Sequence, residues 1–143
     1  RENPMNHDEL IELILEHYKN PKNRGPIDNA RAVQNGGNPG CGDLITVYVD
    51  ADDEGVVRRL SFEGEGCMVS QAGTSIILEK AEGRTLSEIE NMPAGIVSDI
   101  LGKRLVATRP GCAYLGLNTL KLAVRKLLAQ DMHGLKHGEA RGE

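Results

Sequence analysis

Two runs of β-branched and apolar residues, Leu44 to Asp50 and Val56 to Glu63, are separated only by the polar stretch Ala51-Asp52-Asp53-Glu54-Gly55. This pattern restricts the fold more than any other in the chain, because strands joined by so short a loop must pair antiparallel. A hairpin returns the chain to the end of the sheet where it began. Cys41 stands at the entrance of the first strand and Cys67 just beyond the exit of the second, so two of the three cysteines are expected at one sheet end.

Helical patterns flank the hairpin. Asn6 followed by Glu9 has the form of a capping box, and Leu10, Leu13, Ile14 and Tyr18 recur at helical spacing until Asn20-Pro21. Pro21 to Asn38 is punctuated by Gly25-Pro26, Asn35-Gly36-Gly37 and Asn38-Pro39, which predicts loop with at most a short strand near Ala30 to Gln34. After Cys67, the residues Val69, Ala72 and Ile76 share one helix face that Gly83 closes. Thr85 with Glu88 opens a shorter helix ended by Asn91-Met92-Pro93, and Ala94 to Leu101 adds a turn or two. From Ala113, Leu117, Leu120, Val124 and Leu127 mark a last helix running to about Gln130, with Cys112 at its start. Apolar periodicity is then lost, so residues 131–143 are expected to form a mobile tail on a single domain spanning residues 1–130.

Composition narrows the function. A chain of 143 residues fits one domain with a real core, built from Leu, Ile, Val and Ala because aromatics are only 3%. A net charge of −4 argues against nucleic acid as the main partner, since phosphate binding needs a clustered basic face. No apolar run reaches the roughly 18 residues of a membrane helix and no secretory pattern opens the chain, which points to a cytoplasmic protein. Three cysteines cannot all pair with one another, so metal binding or thiol chemistry is a better account of them than a disulfide frame.

Each cysteine is preceded by glycine, as Gly40-Cys41, Gly66-Cys67 and Gly111-Cys112, and Asp43 lies two residues after Cys41 in the run Asn38-Pro39-Gly40-Cys41-Gly42-Asp43. Glycine allows sharp turns and leaves the sulfur unshielded on one side, so the expectation is three thiolates and one carboxylate at a common exposed site. Cys67 and Cys112 at helix N-termini favour the thiolate, and Arg109, with Lys103 and Arg104 upstream, supplies positive charge near Cys112. A carboxylate is a harder ligand than a fourth thiolate, which suits cargo held loosely. Structural zinc usually sits between closely spaced Cys and His pairs, and this chain has no C-x-x-C. The plain alternative for each cysteine is a buried structural thiol, with Asp43 forming a turn. His7 and His17 read as packing or surface residues. His133 and His137, at i and i+4 but beside Gly134 and Gly138, read as part of a solvated tail, and Glu63 and Glu65 carry no assigned catalysis.

The runs His17-Tyr18-Lys19-Asn20-Pro21-Lys22-Asn23, Cys41-Gly42-Asp43 and Phe62-Glu63-Gly64-Glu65-Gly66-Cys67 with Ser70, and then Cys112 opening a helix, resemble the IscU/SufU family of iron-sulfur cluster scaffolds, which are NifU N-terminal-like. The match spans about Leu10 to Leu128. The resemblance implies an α+β fold with a small antiparallel sheet of about three strands covered by helices. It also implies a role in which the chain accepts persulfide sulfur from a cysteine desulfurase, takes up iron, assembles a cluster and passes it to apo-proteins. Cys41, Asp43, Cys67 and Cys112 would be the ligand positions, Cys112 and Cys41 the candidate persulfide acceptors, and a transient [2Fe-2S] cluster the cargo, with zinc an alternative occupant of the isolated protein.

A frataxin-like protein and a ferredoxin are further candidate partners. The chain departs from the family at Gly111, where IscU-type members carry His and SufU-type members Lys. Val106 to Gly111 reads V-A-T-R-P-G in place of the Leu-Pro-Pro-Val-Lys motif that recruits a specialised Hsp70 chaperone, which speaks against chaperone-assisted release. The SufU insertion between the second and third cysteines is also missing. Two other functions compete: a zinc-dependent sulfurtransferase of SufU type that activates a cysteine desulfurase, and a structural zinc domain whose metal only supports folding.

Overall fold

The structure is a computed structural model that describes residues 6–38, 40 and 42–140, the side chains of 131–140 excepted. Helix α1 (His7–Lys19) is followed by strands β1 (Ala32–Asn38), β2 (Asp43–Ala51) and β3 (Val57–Glu65). Helices α2 (Met68–Ala81), α3 (Leu86–Glu90), α4 (Gly95–Leu101), α5 (Lys103–Thr108) and α6 (Pro110–Ala140) complete the chain. The strands form one antiparallel sheet in the order β1-β2-β3. This is the expected α+β fold with three strands.

The predicted hairpin is present, with Leu44 opposite Glu65 and Val49 opposite Leu60. Its turn is held by Asp52, whose Oδ1 accepts the N–H groups of Glu54 and Val56, each at 2.9 Å. Along β2, Ile45, Val47 and Val49 alternate inward while Leu44 is exposed, so one face of the sheet belongs to the core. That alternation includes Asp43: as the first residue of the strand it shares the inward parity and is buried.

Helix α2 lies at the centre, packed against α1, α6, β3 and α4. It is buried on nearly every side, and its polar residues are enclosed as well, including Ser70, Gln71, Thr74 and Ser75. Buried polar groups need partners. Thr74 Oγ1 donates to the Ser70 carbonyl at 2.7 Å, and Ser75 Oγ meets His17 Nδ1 of α1 at 2.8 Å. Helices α2 and α6 approach closely at Gly116, where an added Cβ would lie 2.8 Å from Thr74 Cα.

The capping boxes at Asn6/Glu9 and Thr85/Glu88 form as expected. The structure departs from the sequence reading at three places. Strand β1 runs through Asn35-Gly36-Gly37, which the sequence marks as loop. The reason is packing: a Cβ on Gly36 would lie 2.0 Å from Thr119 Oγ1 of α6, so this glycine marks close helix approach and not a turn. Helix α5 has no signal in the sequence; Leu105 and Val106 give too short an apolar pattern to show periodicity, and Gly102 at φ +90° separates it from α4. Finally, α6 continues past Gln130 to Ala140, because the helical hydrogen-bond ladder needs no apolar face to continue beyond the core. The side chains of His133 and His137, and residues 141–143 of the expected tail, lie outside what the structure describes. Among the described residues no helix is long and apolar enough to cross a membrane.

Candidate functional site

Three chain segments end at one edge of the sheet. The first residue of β2 is Asp43, the N-cap of α2 is Cys67, and Cys112 lies in the first turn of α6. The register that pairs Leu44 with Glu65 places the start of β2 beside the end of β3, and hence beside the start of α2. The result is a cluster in which one carboxylate oxygen of Asp43 and the sulfurs of Cys67 and Cys112 all lie within 4.8 Å of one another. Residues separated by 24 and 69 positions are thereby brought together. Cys41, the fourth residue predicted for this site, lies outside the described residues.

Asp43 is the hub. The Cys67 backbone N–H donates to its Oδ1 at 2.8 Å, and the Cys112 thiol donates to its Oδ2 at 3.0 Å. Cys67 Sγ is 3.9 Å from the same Oδ2 and 3.9 Å from Ser70 Oγ. A second contact to Cys112 comes from Asn38 at the end of β1, whose Nδ2 lies 3.6 Å from the sulfur.

Among the described members burial differs from the expected exposed site: Asp43 is 0% and Cys112 1% exposed, while Cys67 is partly accessible. Burial pushes the Cys67 thiol up, but this is outweighed by the Ser70 N–H, the Cys112 side chain and the Val69 N–H, while the Asp43 charge opposes them. The net shift is downward. Cys67 forms no side-chain cap on α2, yet the free amides of the first turn favour its thiolate. Lys103, Arg104 and Arg109, the cations expected near Cys112, are exposed on α5 and just beyond it.

The glycines before the cysteines serve a purpose other than unshielding sulfur. Gly66 has φ +146°, and a Cβ there would lie 2.2 Å from Asp43 Oδ1. Gly111 faces Asn38, with a Cβ falling 2.6 Å from Nδ2. Both make room for a polar side chain that holds the site. Gly40 is not required in this way, since its nearest neighbour would be Asn38 Oδ1 at 3.8 Å. Asn38 escapes sequence reasoning as a site residue because Asn-Pro reads first as a turn signal; its place in the same run as Cys41 and Asp43 is the available clue.

Two sulfurs and a carboxylate oxygen at this spacing match the donor set of zinc or of an iron-sulfur centre, and thiolates select such metals over calcium or magnesium. The cluster therefore fits metal cargo.

Residues 10–133 match the family model described as the NifU-like N terminal domain. The iron-sulfur cluster assembly scaffold protein IscU of Thermotoga maritima is 34% identical over 132 residues, covering 81% of this chain and 92% of the relative. IscU of Escherichia coli K12 is 29% identical over 116 residues, with coverage of 79% and 89%. Among solved structures, a chain described as a putative iron-sulfur cluster assembly scaffold for the SUF system of Fervidobacterium islandicum AW-1 superposes with a TM-score of 0.67 at 29% identity. It is matched over 83% of this chain and 99% of that one. A NifU-like N-terminal protein from Brucella abortus shares the fold, with a TM-score of 0.70 at 24% identity over 85% of this chain and 96% of that one.

Proposed function

This chain belongs to the family of NifU-like N-terminal domains, and from that premise we propose that it is a scaffold for iron-sulfur cluster assembly. In this reading it receives sulfur from a cysteine desulfurase, takes up iron and passes the cluster to apo-proteins. The observation that carries the reading is the convergence of Asp43, Cys67 and Cys112 to within 4.8 Å. Cys41 is proposed as the fourth ligand, and the cargo as a [2Fe-2S] cluster. Named relatives that are IscU scaffolds support the assignment.

Sulfur delivery is a thiol-persulfide exchange. A thiolate of this chain attacks the outer sulfur of the desulfurase Cys–S–SH, the S–S bond breaks, and the desulfurase cysteine leaves as its thiolate, with no net oxidation. Cys112 and Cys41 are the proposed acceptors. Because Cys112 is buried and hydrogen-bonded to Asp43, delivery to it requires that contact to open first. A carboxylate is the hardest donor of the set, so Asp43 is the ligand expected to yield when the cluster leaves.

Anaerobic isolation followed by iron and acid-labile sulfide assay tests this directly. Incubation with a desulfurase and cysteine, with persulfides mapped by mass spectrometry in Cys41→Ser, Cys67→Ser and Cys112→Ser variants, identifies the acceptor. Absence of both bound sulfide and persulfide would sink the proposal.

A second reading draws on the same donor set, since two thiolates and a carboxylate also suit zinc. Tight zinc with desulfurase stimulation, and no cluster on reconstitution, would select the zinc-dependent sulfurtransferase. A purely structural zinc is disfavoured by the core: Phe62, Leu78, Ile89, Leu117 and Leu120 pack together without help from the site. Chelation is thus expected to leave the fold intact.

A further inference from the structure

Asn38 ends β1 directly opposite Asp43 in the sheet, so two neighbouring strands present an amide and a carboxylate at the same edge. Both reach Cys112. The Asn38 Nδ2 lies 3.6 Å from its sulfur, a normal reach for a donor to so large an acceptor, while the sulfur donates to Asp43 Oδ2 at 3.0 Å. The Cys112 sulfur is therefore held between a donor on one strand and an acceptor on the next.

Gly111 gives the amide its place. A Cβ at Gly111 would fall 2.6 Å from Asn38 Nδ2, 3.1 Å from Cγ and 3.2 Å from Oδ1, against the whole carboxamide. Gly111 is not among the glycines with positive φ, so its backbone conformation would accept a side chain. Glycine is also a poor helix former, and this one sits in the first turn of α6. The occupied space, and not the backbone angle, accounts for the glycine.

We propose that Asn38 is a positioning residue for Cys112, donating its amide N–H to the sulfur, and that Gly111 is the space that lets it do so. The inference rests on the reading of Cys112 as a ligand for the metal cargo. A neutral donor keeps its role whether the sulfur carries a proton or a metal. When the thiol proton is displaced by metal, the contact to Asp43 ceases to be a hydrogen bond, while the contact to Asn38 persists and becomes charge-assisted. Asn38 thus fixes the direction of the sulfur and withdraws electron density from it. Groups that support metal ligands in this way typically change metal affinity by about 10- to 100-fold when removed.

The test uses Asn38→Leu, which keeps the branching and heavy-atom count of the side chain and removes the donor, with Gly111→Ala as a second variant that pushes the amide away. Cobalt(II) is the probe, titrated against a chelator, and far-UV circular dichroism confirms folding. Asn38→Leu is expected to weaken cobalt binding about tenfold or more and to move the sulfur-to-cobalt charge-transfer band to lower energy. Gly111→Ala should shift both in the same direction, and the double variant should add little. In metal-free protein, alkylation of the buried Cys112 by iodoacetamide, resolved from Cys67 by mass spectrometry, is expected to rise about fivefold in Asn38→Leu as the sulfur is released. Affinity within about twofold of the parent, an unmoved band and an unchanged alkylation rate would overturn the proposal. Cobalt binding that survives Cys112→Ser would overturn the ligand reading instead, and the alkylation result would still decide the role of Asn38.

Discussion

Replacing Gly66 with alanine places a Cβ 2.2 Å from Asp43 Oδ1 and 2.9 Å from its Cγ, at a residue whose φ is +146°. Two separate costs follow. An L side chain in that backbone region is strained by about 1–3 kcal/mol. Driving the carboxylate away also breaks its 2.8 Å hydrogen bond from the Cys67 N–H, and a hydrogen bond to a carboxylate contributes about 1.5–3 kcal/mol. The expected destabilisation is therefore about 2.5–6 kcal/mol, a large part of the roughly 5–15 kcal/mol by which such domains are stable. The two parts separate in a double-mutant cycle. In an Asp43→Ala background there is no carboxylate to displace, so Gly66→Ala should cost only the backbone strain and the 3.0 Å approach to the Cα of residue 43, which both backgrounds share, leaving a coupling of about 1.5–3 kcal/mol. Urea denaturation monitored by circular dichroism measures all four proteins. Additivity to within about 0.5 kcal/mol, or a single-mutant cost below about 1 kcal/mol, would refute the claim that this glycine exists to admit the carboxylate.

Further outcomes follow from the rest of the molecule. His17 is buried between Ser75 Oγ and Glu79 Oε1, and its pKa is lowered chiefly by burial, with Glu79 opposing. A depressed histidine contributes stability that is present above the unfolded value of about 6.5 and lost as pH falls below it; urea midpoints should drop as the pH is lowered through about 6.5, and His17→Gln should flatten that dependence. Gln71 Oε1 is buried without a hydrogen-bond partner among the described residues, and Nε2 donates only at 3.4 Å, to Ser70 Oγ, so Gln71→Met should be within about 1 kcal/mol of neutral in denaturant titration, and a loss larger than that would mean the oxygen is in fact satisfied. Asn6→Ala removes the side chain that caps α1 and accepts the Glu9 N–H at 2.8 Å; it should cost about 1 kcal/mol in the stability obtained from urea titration, whereas Asn6→Asp should cost little.

The hairpin, the two capping boxes and the positions of Cys67 and Cys112 at helix starts are all readable from the chain, because each depends on neighbours within a few residues. Even the burial of Asp43 is latent in the alternation of Ile45, Val47 and Val49, once the strand is started one residue earlier than the apolar run suggests. The features that mislead have a common cause. Gly36, Gly66 and Gly111 each look like a turn or a means of baring a sulfur, yet each is small because a side chain from a distant segment, Thr119, Asp43 or Asn38, occupies the space beside it.

Local chemistry along the chain therefore determined which elements form and which residue types could hold metal. The tertiary structure alone decided that Asp43 serves as the hydrogen-bond hub, that Asn38 joins the site, and that Cys112 is buried there while Cys67 stays partly accessible. Those facts are contacts between residues 24 to 74 positions apart, and contacts at such separations are set by how the sheet and helices pack, which no local pattern encodes.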